Sequence, residues 1–281
     1  MHIITDPKEL QQQCLKWRDQ GLTIGLVPTM GFLHEGHMAL LDKARPECDR
    51  LVTTLFVNPT QFGENEDLSN YPNDFEGDCR KAEAHGSDLL FAPGPDAMYA
   101  PDHATWVEVP ELGAHLCGAS RPIHFRGVCT VVTKLFMLTQ ADVAVFGQKD
   151  WQQFAILRRM VRDLNIPIRL IGHPIVREAD GLALSSRNAY LTATERAAAP
   201  AIRKGLLLLA EKAADERDCA TLKRLLETEY ASTLPMGKVD YIEIVDPDSI
   251  QPVKTITKSA LTAVAIRLGK ARLIDNILIG V

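Results

Sequence analysis

The chain has 281 residues, 46% of them hydrophobic, and a formal net charge of −5 at pH 7. That length supports one large domain or two of ordinary size, and the absence of a Lys/Arg block argues against a polynucleotide or an anionic membrane as partner. No apolar run approaches the about 18 residues of a membrane span, and the opening MHIITDPKELQQQ has neither a basic start nor an apolar signal core, so a cytoplasmic protein is expected.

The first helix is marked by punctuation: Asp6 suits the N-cap, Pro7 the first turn, Glu9 a capping box, and Gly21 the position after the end. Apolar runs at 23–27, 51–57, 88–92, 143–146 and 168–171 then alternate with helical patterns at 34–45, 75–85, 128–138 and 151–164. The runs are apolar on both faces, as central parallel strands covered on each side are. They predict a Rossmann-like, doubly wound parallel α/β sheet. The Pro-rich stretch 93–126 breaks the rhythm; its alternating segment 105–109 predicts a small hairpin among loops over the sheet. After Pro174 the pattern changes to helices at 192–214 and 219–231 and strands at 239–245 and 260–267. This predicts a first domain over 1–175 and a smaller α+β domain over 176–281. The six cysteines, at 14, 48, 79, 117, 129 and 219, include no Cys-x-x-Cys and read as small buried hydrophobes in a reducing compartment.

In open α/β sheets ligands bind beyond the carboxyl ends of the strands, and there the sequence concentrates its chemistry. The run 23–27 turns through Pro28, Thr29, Met30 and Gly31 and delivers His34 and His37 at a helix entrance, with Gly36 between them. Unpaired N–H groups of a first helical turn and the helix dipole favour a phosphate there, and two imidazoles can donate to charge growing on a phosphate oxygen. A zincin site would need the histidines at i and i+4; these are three apart. The simpler alternative is a pair of polar helix-cap residues.

After 51–57 come Asn58 and Gln61, neutral amides able to read hydroxyl and carboxylate oxygens; a polar Asn-Pro turn is the alternative for Asn58. After 143–146 come Gly147, Gln148, Lys149 and Asp150, with Lys149 a point charge for phosphate and Asp150 a helix cap or ribose contact. Ser185, Ser186 and Arg187 form an anion-clamping loop behind the Asp180-Gly181 turn, and Arg126 either binds an anion or pairs with a carboxylate. No Gly-x-Ser-x-Gly elbow and no P-loop occurs. Chemistry that needs position and charge stabilisation, such as direct transfer at phosphorus, fits better than a covalent nucleophile.

PTMGFLHEGH at 28–37, FVNPTQF at 56–62, SRPIHFRGV at 120–128, FGQKDWQQ at 146–153, DGLALSSRNAYL at 180–191 and ARLIDN at 271–276 together closely resemble the pantothenate synthetase (pantoate–β-alanine ligase) family, within the nucleotidyltransferases with a His-x-Gly-His signature. The resemblance implies condensation of ATP, pantoate and β-alanine to pantothenate, AMP and diphosphate through a pantoyl adenylate, by a homodimer whose second domain closes as a lid. It implies ATP contacts at Met30, Gly31, Phe32, Leu33, His34, Glu35, Gly36, His37, Gly147, Gln148, Lys149, Asp150, Val176, Leu184, Ser185, Ser186 and Arg187. Gln61 and Gln153 would hold pantoate and β-alanine. His37 carries the family's proton-donor role, beside His34, Lys149, Ser185, Ser186 and Arg187. Magnesium is expected with ATP; of the family's acidic region only Asp78 matches, with Gly77 and Lys81 replacing potential ligands. The competing readings are adenylyl transfer to a phosphate ester, a tRNA ligase fragment, which lacks a basic face, and a nucleotide-binding regulator.

Overall fold

The computed structural model describes residues 1–63, 66 and 68–280, which group into two compact units. The first comprises Met1–Pro110, Arg121–Gln148 and Ile156–Pro174; the second comprises Glu111–Ser120, Lys149–Ala155 and Ile175–Val281.

In the first unit the elements run β1 (His2–Ile4), α1 (Pro7–Asp19), β2 (Ile24–Thr29), α2 (Glu35–Ala44), β3 (Arg50–Leu55), α3 (Phe75–Ala84), β4 (Leu89–Phe91), α4 (His124–Thr139), β5 (Val143–Gly147), α5 (Trp151–Asp163, whose first turns group with the second unit) and β6 (Arg169–His173). The strands form one sheet in the order β1-β4-β3-β2-β5-β6, every neighbouring pair parallel. Val27, Leu51, Leu90 and Val145 are fully buried with Leu41 of α2, which explains why these strands carry no polar face. After β2 the chain moves to β3 on one side, and later returns to β5 on the other. The carboxyl ends of β2 and β5 therefore flank the topological switch point, where an open sheet leaves its crevice.

Asp6 caps α1, its carboxylate accepting from Lys8 N and Glu9 N, and Gly21 follows the helix with φ 75°. Edge strand β1 has only three residues, too few for a periodic signal. No strand forms at 105–109, where the sequence pattern predicts a hairpin. Val107 N donates to Thr130 Oγ1 of α4 (3.1 Å) and the Arg126 guanidinium lies 4.7 Å from the centre of the Trp106 ring, so this segment finds its partners on a helix.

The second unit holds α6 (Ala193–Ala198), α7 (Ala201–Lys212), α8 (Cys219–Thr233) and an antiparallel sheet of β7 (Lys238–Val245), β8 (Ala260–Leu268) and β9 (Ala271–Ile279), with β8 central. Pro200 divides what the pattern over 192–214 presents as one helix: it has no N–H to donate to the carbonyl one turn back, and its ring crowds that carbonyl. Gly205 lets α7 and α8 approach, since a Cβ there would stand 2.5 Å from the Tyr230 ring, whose hydroxyl donates to Ile202 O (2.7 Å). Strand β9 completes the sheet beyond the two strands expected. Segment 111–120 joins this unit through Gln152, whose amide accepts from Cys117 N (3.0 Å) and donates to Leu112 O (2.8 Å) and His115 O (2.7 Å).

All six cysteines are free thiols; Cys14, Cys129 and Cys219 are buried, and burial pushes the Cys14 and Cys129 thiols up to about 12. Among the described residues no helix is long and apolar enough to cross a membrane.

Candidate active site

Strand β2 ends in a turn that its neighbours hold firmly. Thr29 Oγ1 donates to Thr54 O of β3 (2.6 Å) and accepts from Gly31 N (3.2 Å). Gly31 (φ 89°) and Phe32 (φ 53°) are consecutive left-handed residues, an arrangement that costs a non-glycine residue energy. The buried Asp78 of α3 accepts from Phe32 N (2.6 Å) and Leu33 N (2.7 Å), and Lys81 Nζ donates to Leu33 O (2.7 Å).

The turn leads straight into the two histidines. His34 is the N-cap of α2, its Nδ1 accepting from Gly36 N (3.1 Å), while His37 Nδ1 accepts from His34 N (3.3 Å). The rings lie 4.1 Å apart, centre to centre, tilted by 36°. An imidazole nitrogen that accepts a hydrogen bond carries no proton, so the network assigns both rings the tautomer with Nε2–H. The helix-cap alternative and the phosphate-donor reading therefore converge: capping engages Nδ1 and fixes Nε2 as the donor on each ring.

The loop after β3 is built around Asn58. Its Oδ1 accepts from Tyr99 Oη (2.9 Å) and Thr60 Oγ1 (3.0 Å), and its Nδ2 donates to Gln61 Oε1 and Gly127 O, each at 3.2 Å. Asn58 is fully buried and serves as an internal hub. Its consequence is on Gln61: with Oε1 accepting, the Nε2 end of that amide is the donor, and it lies 2.9 Å from Met30 Sδ. Residues 30 and 61, assigned by sequence to two different substrates, are thus in contact within the first unit. The Gln61 carbonyl accepts from Arg121 Nη2 (3.2 Å) and lies 2.9 Å from His124 Nδ1; Arg121 in turn pairs with Glu66 (Nη2–Oε2 2.5 Å).

In the second unit Lys149 Nζ donates to Leu184 O (3.4 Å), Leu184 N donates to Val176 O (3.0 Å), and Ser185 Oγ accepts from Arg187 N (3.3 Å). Lys149, Val176, Leu184 and the Ser185–Arg187 turn are thereby gathered in one place. Behind them, Arg177 makes a two-pronged pair with the buried Asp275 of β9 (2.7 and 2.8 Å) and donates to Gly181 O (3.0 Å), fastening the loop to the sheet. Gln153 is half-buried in the first turn of α5. Gly147 ends β5, and Gln148 to Asp150 form a single 3₁₀ turn.

A family profile described as pantoate-beta-alanine ligase matches residues 2–278. The chain belongs to that family. It is 61% identical over 282 residues to the pantothenate synthetase of Maridesulfovibrio salexigens, with 100% of both chains covered. The crystal structure of the pantothenate synthetase from Thermus thermophilus superposes with a TM-score of 0.91 at 44% identity, covering 99% of each chain. That of the pantoate-beta-alanine ligase from Francisella tularensis, complexed with beta-gamma ATP and beta-alanine, gives 0.79 at 32% identity, covering 99% of this chain and 97% of that one.

Against this pantoate–β-alanine ligase background, two sequence expectations meet a different geometry. Arg126, expected to bind an anion or pair with a carboxylate, lays its guanidinium over the Trp106 ring, 4.7 Å from the ring centre. Asp78, expected as a magnesium ligand, has each carboxylate oxygen engaged by a backbone N–H and an ammonium close by. Asp74, one turn earlier, accepts from Gly77 N (3.1 Å) as the cap of α3. Among the described residues no group of three or more His, Cys, Asp or Glu is arranged to hold a metal ion. The donor set here does not fit a protein-held Mg²⁺, which wants several free oxygen ligands in octahedral array. The supporting residues Tyr99, Arg121, His124, Arg177 and Asp275 are invisible to local spacing, although the SRPIHFRGV and ARLIDN segments contain three of them.

Proposed function

We propose that this chain condenses pantoate with β-alanine at the expense of ATP, giving pantothenate, AMP and diphosphate through a pantoyl adenylate. The observation that carries this reading is the contact of Gln61 Nε2 with Met30 Sδ: an amide donor suited to an organic acid adjoins the histidine-bearing turn at the switch point. Family membership over nearly the whole chain supports it.

In this reading ATP engages Met30 to His37, Gly147 to Asp150, Val176 and Leu184 to Arg187, and Gln61 and Gln153 hold the organic substrates. A pantoate carboxylate oxygen attacks the α-phosphorus and the bond to the diphosphate breaks. The amine of β-alanine then attacks the acyl carbon, a proton leaves the nitrogen, and AMP departs. His34 and His37, as Nε2–H donors, together with Lys149, Ser185, Ser186 and Arg187, offset negative charge where it grows. Gln61 orients the nucleophile as a neutral donor, so the line of attack is set before reaction. Magnesium would accompany ATP and supply positive charge to its phosphates, with no residue of the first unit assigned to hold it. We further propose a cytoplasmic homodimer, a state that the family resemblance implies and that the six free thiols suit.

Exchange of labelled diphosphate into ATP tests the order of steps. Exchange should require pantoate and proceed without β-alanine. Exchange indifferent to pantoate would overturn the reading, and exchange supported instead by a phosphate ester would identify an adenylyltransferase.

A further inference from the structure

We infer that Asp78 is a positioning residue that clamps the turn ahead of the two histidines, and not a magnesium ligand. The inference rests on the proposed role of Met30 to His37 in ATP binding. Two successive left-handed residues turn their following N–H groups toward a common point, a concavity suited to an anion. Here the protein fills it with its own carboxylate: Phe32 N and Leu33 N reach separate oxygens of Asp78 at 2.6 and 2.7 Å. The fit is close enough that a Cβ on Gly31 would stand 3.2 Å from Asp78 Oδ2.

Lys81, three residues on and on the same face of α3, takes the carbonyl of Leu33 at 2.7 Å. One helical face thus holds the donor and acceptor sides of the same turn. The titratable groups nearest the Asp78 carboxylate are the Lys81 ammonium and the Asp74 carboxylate, the latter engaged in capping α3. A fixed ammonium beside the carboxylate opposes a divalent cation and favours the clamp. Burial pushes the Asp78 carboxyl upward while the two N–H bonds pull it down, as for a carboxylate enclosed to serve the fold. What the clamp secures is a costly backbone at Phe32, two residues before the N-cap, so its release would misplace both Nε2 donors.

The test compares Asp78→Asn and Lys81→Met with the parent enzyme, titrating ATP and pantoate at saturating Mg²⁺, then Mg²⁺ at fixed ATP, with thermal unfolding alongside. An asparagine has one acceptor oxygen where the two N–H groups now reach separate carboxylate oxygens, and it turns an NH₂ toward one of them. Asp78→Asn should lower kcat/KM for ATP by about 10- to 100-fold, the scale of a misplaced catalytic group, with pantoate KM and Mg²⁺ half-saturation held within about twofold. Lys81→Met should move ATP use in the same direction by about 3- to 10-fold, since only one pin is lost. A merely structural role would lower the melting temperature and leave the ATP-to-pantoate ratio untouched. A rise of about tenfold or more in the Mg²⁺ requirement of Asp78→Asn, with activity restored by excess Mg²⁺, would overturn the clamp in favour of a metal ligand. Unchanged ATP use in either folded variant would overturn it too, and if Asp78→Asn fails to fold, Lys81→Met decides. Parallel measurement of His37→Asn separates the two levels: normal turnover there would remove the ATP-loop reading itself.

Discussion

Replacing His37 by asparagine separates two duties that the imidazole performs at once. His37 Nδ1 accepts from His34 N at 3.3 Å, completing the reciprocal cap of α2, and the same ring carries its proton on Nε2. Alanine removes both. The cap alone is worth about 0.5–2 kcal/mol, which in a chain of this size lowers the melting temperature by roughly 1–8 °C. An asparagine side chain places an acceptor oxygen near the position of Nδ1 but has nothing at Nε2. His37→Asn should therefore melt close to the parent while its turnover falls by about 100- to 1,000-fold, the cost of one donor to a developing anion, or roughly 2.7–4 kcal/mol of barrier. His37→Ala should show the same loss of turnover plus the loss of stability. The assay is pantoate-dependent diphosphate exchange, run beside thermal unfolding on the same preparations. Near-normal exchange by the asparagine variant, with a deficit only in the alanine variant, would refute the reasoning and leave His37 as a helix cap.

Two further substitutions probe the support of the organic substrate and the second unit. In Gly127→Ala the new Cβ would stand 2.5 Å from Thr60 O and 2.7 Å from Gln61 N. Relieving that overlap means moving the loop by somewhat under ~1 Å, at about 1–3 kcal/mol of stability and with a fall of about 10²-fold in kcat/KM for pantoate. Unchanged pantoate use in the folded variant would take Gln61 out of the site. In the second unit, Asp246 accepts from Lys258 Nζ (2.6 Å), Ser249 N and Oγ (each 2.9 Å) and Asp248 N (3.1 Å). The Lys258 ammonium, then the Ser249 bonds, hold its carboxyl well below the usual range despite some burial. A depressed folded value stabilises above the unfolded value of about 3.9 and is lost as pH falls below it. The melting gap between the parent and Asp246→Asn should be full at neutral pH and close progressively below about pH 4, whereas a gap independent of pH would contradict the assignment.

Much of this was legible from local pattern, and what was not has a common cause. The apolar run 23–27 announces β2 because burial on both faces demands it, and Asp6-Pro7 announces α1 because caps are chemistry of adjacent residues. The same logic marks His34, Gln61, Lys149 and Ser185–Arg187 as polar groups at element ends. The residues that aim them act at long range: Tyr99 reaches Asn58 across 41 positions, Asp78 reaches Phe32 across 46, and Arg177 reaches Asp275 across 98. No periodicity encodes such pairs. The alternation at 105–109 misleads for the converse reason, since its backbone finds a helix side chain, Thr130, where a strand partner was expected.

The kinds of charge at the proposed site bear on its chemistry. A carboxylate nucleophile held by cations would lose reactivity to them, while one approaching a polyphosphate unaided would be repelled. In the first unit the groups assigned to pantoate and to the α-phosphate are an amide and two imidazoles that capping makes neutral Nε2–H donors. The guanidinium that lies against the Gln61 backbone, Arg121, directs Nε and Nη2 to Glu66 at 2.6 and 2.5 Å. A neighbouring cation is therefore balanced before any substrate arrives. The cations assigned to the reaction, Lys149 and Arg187, both belong to the ATP set. On that division neutral donors orient the attacking oxygen and full charges meet the triphosphate, so electrostatic stabilisation falls on the leaving side, where negative charge accumulates in the transition state. Substituting Gln61 by lysine should accordingly tighten pantoate, as charge attraction alone would, yet slow pantoate-dependent diphosphate exchange; exchange as fast as the parent's would contradict this division of charge.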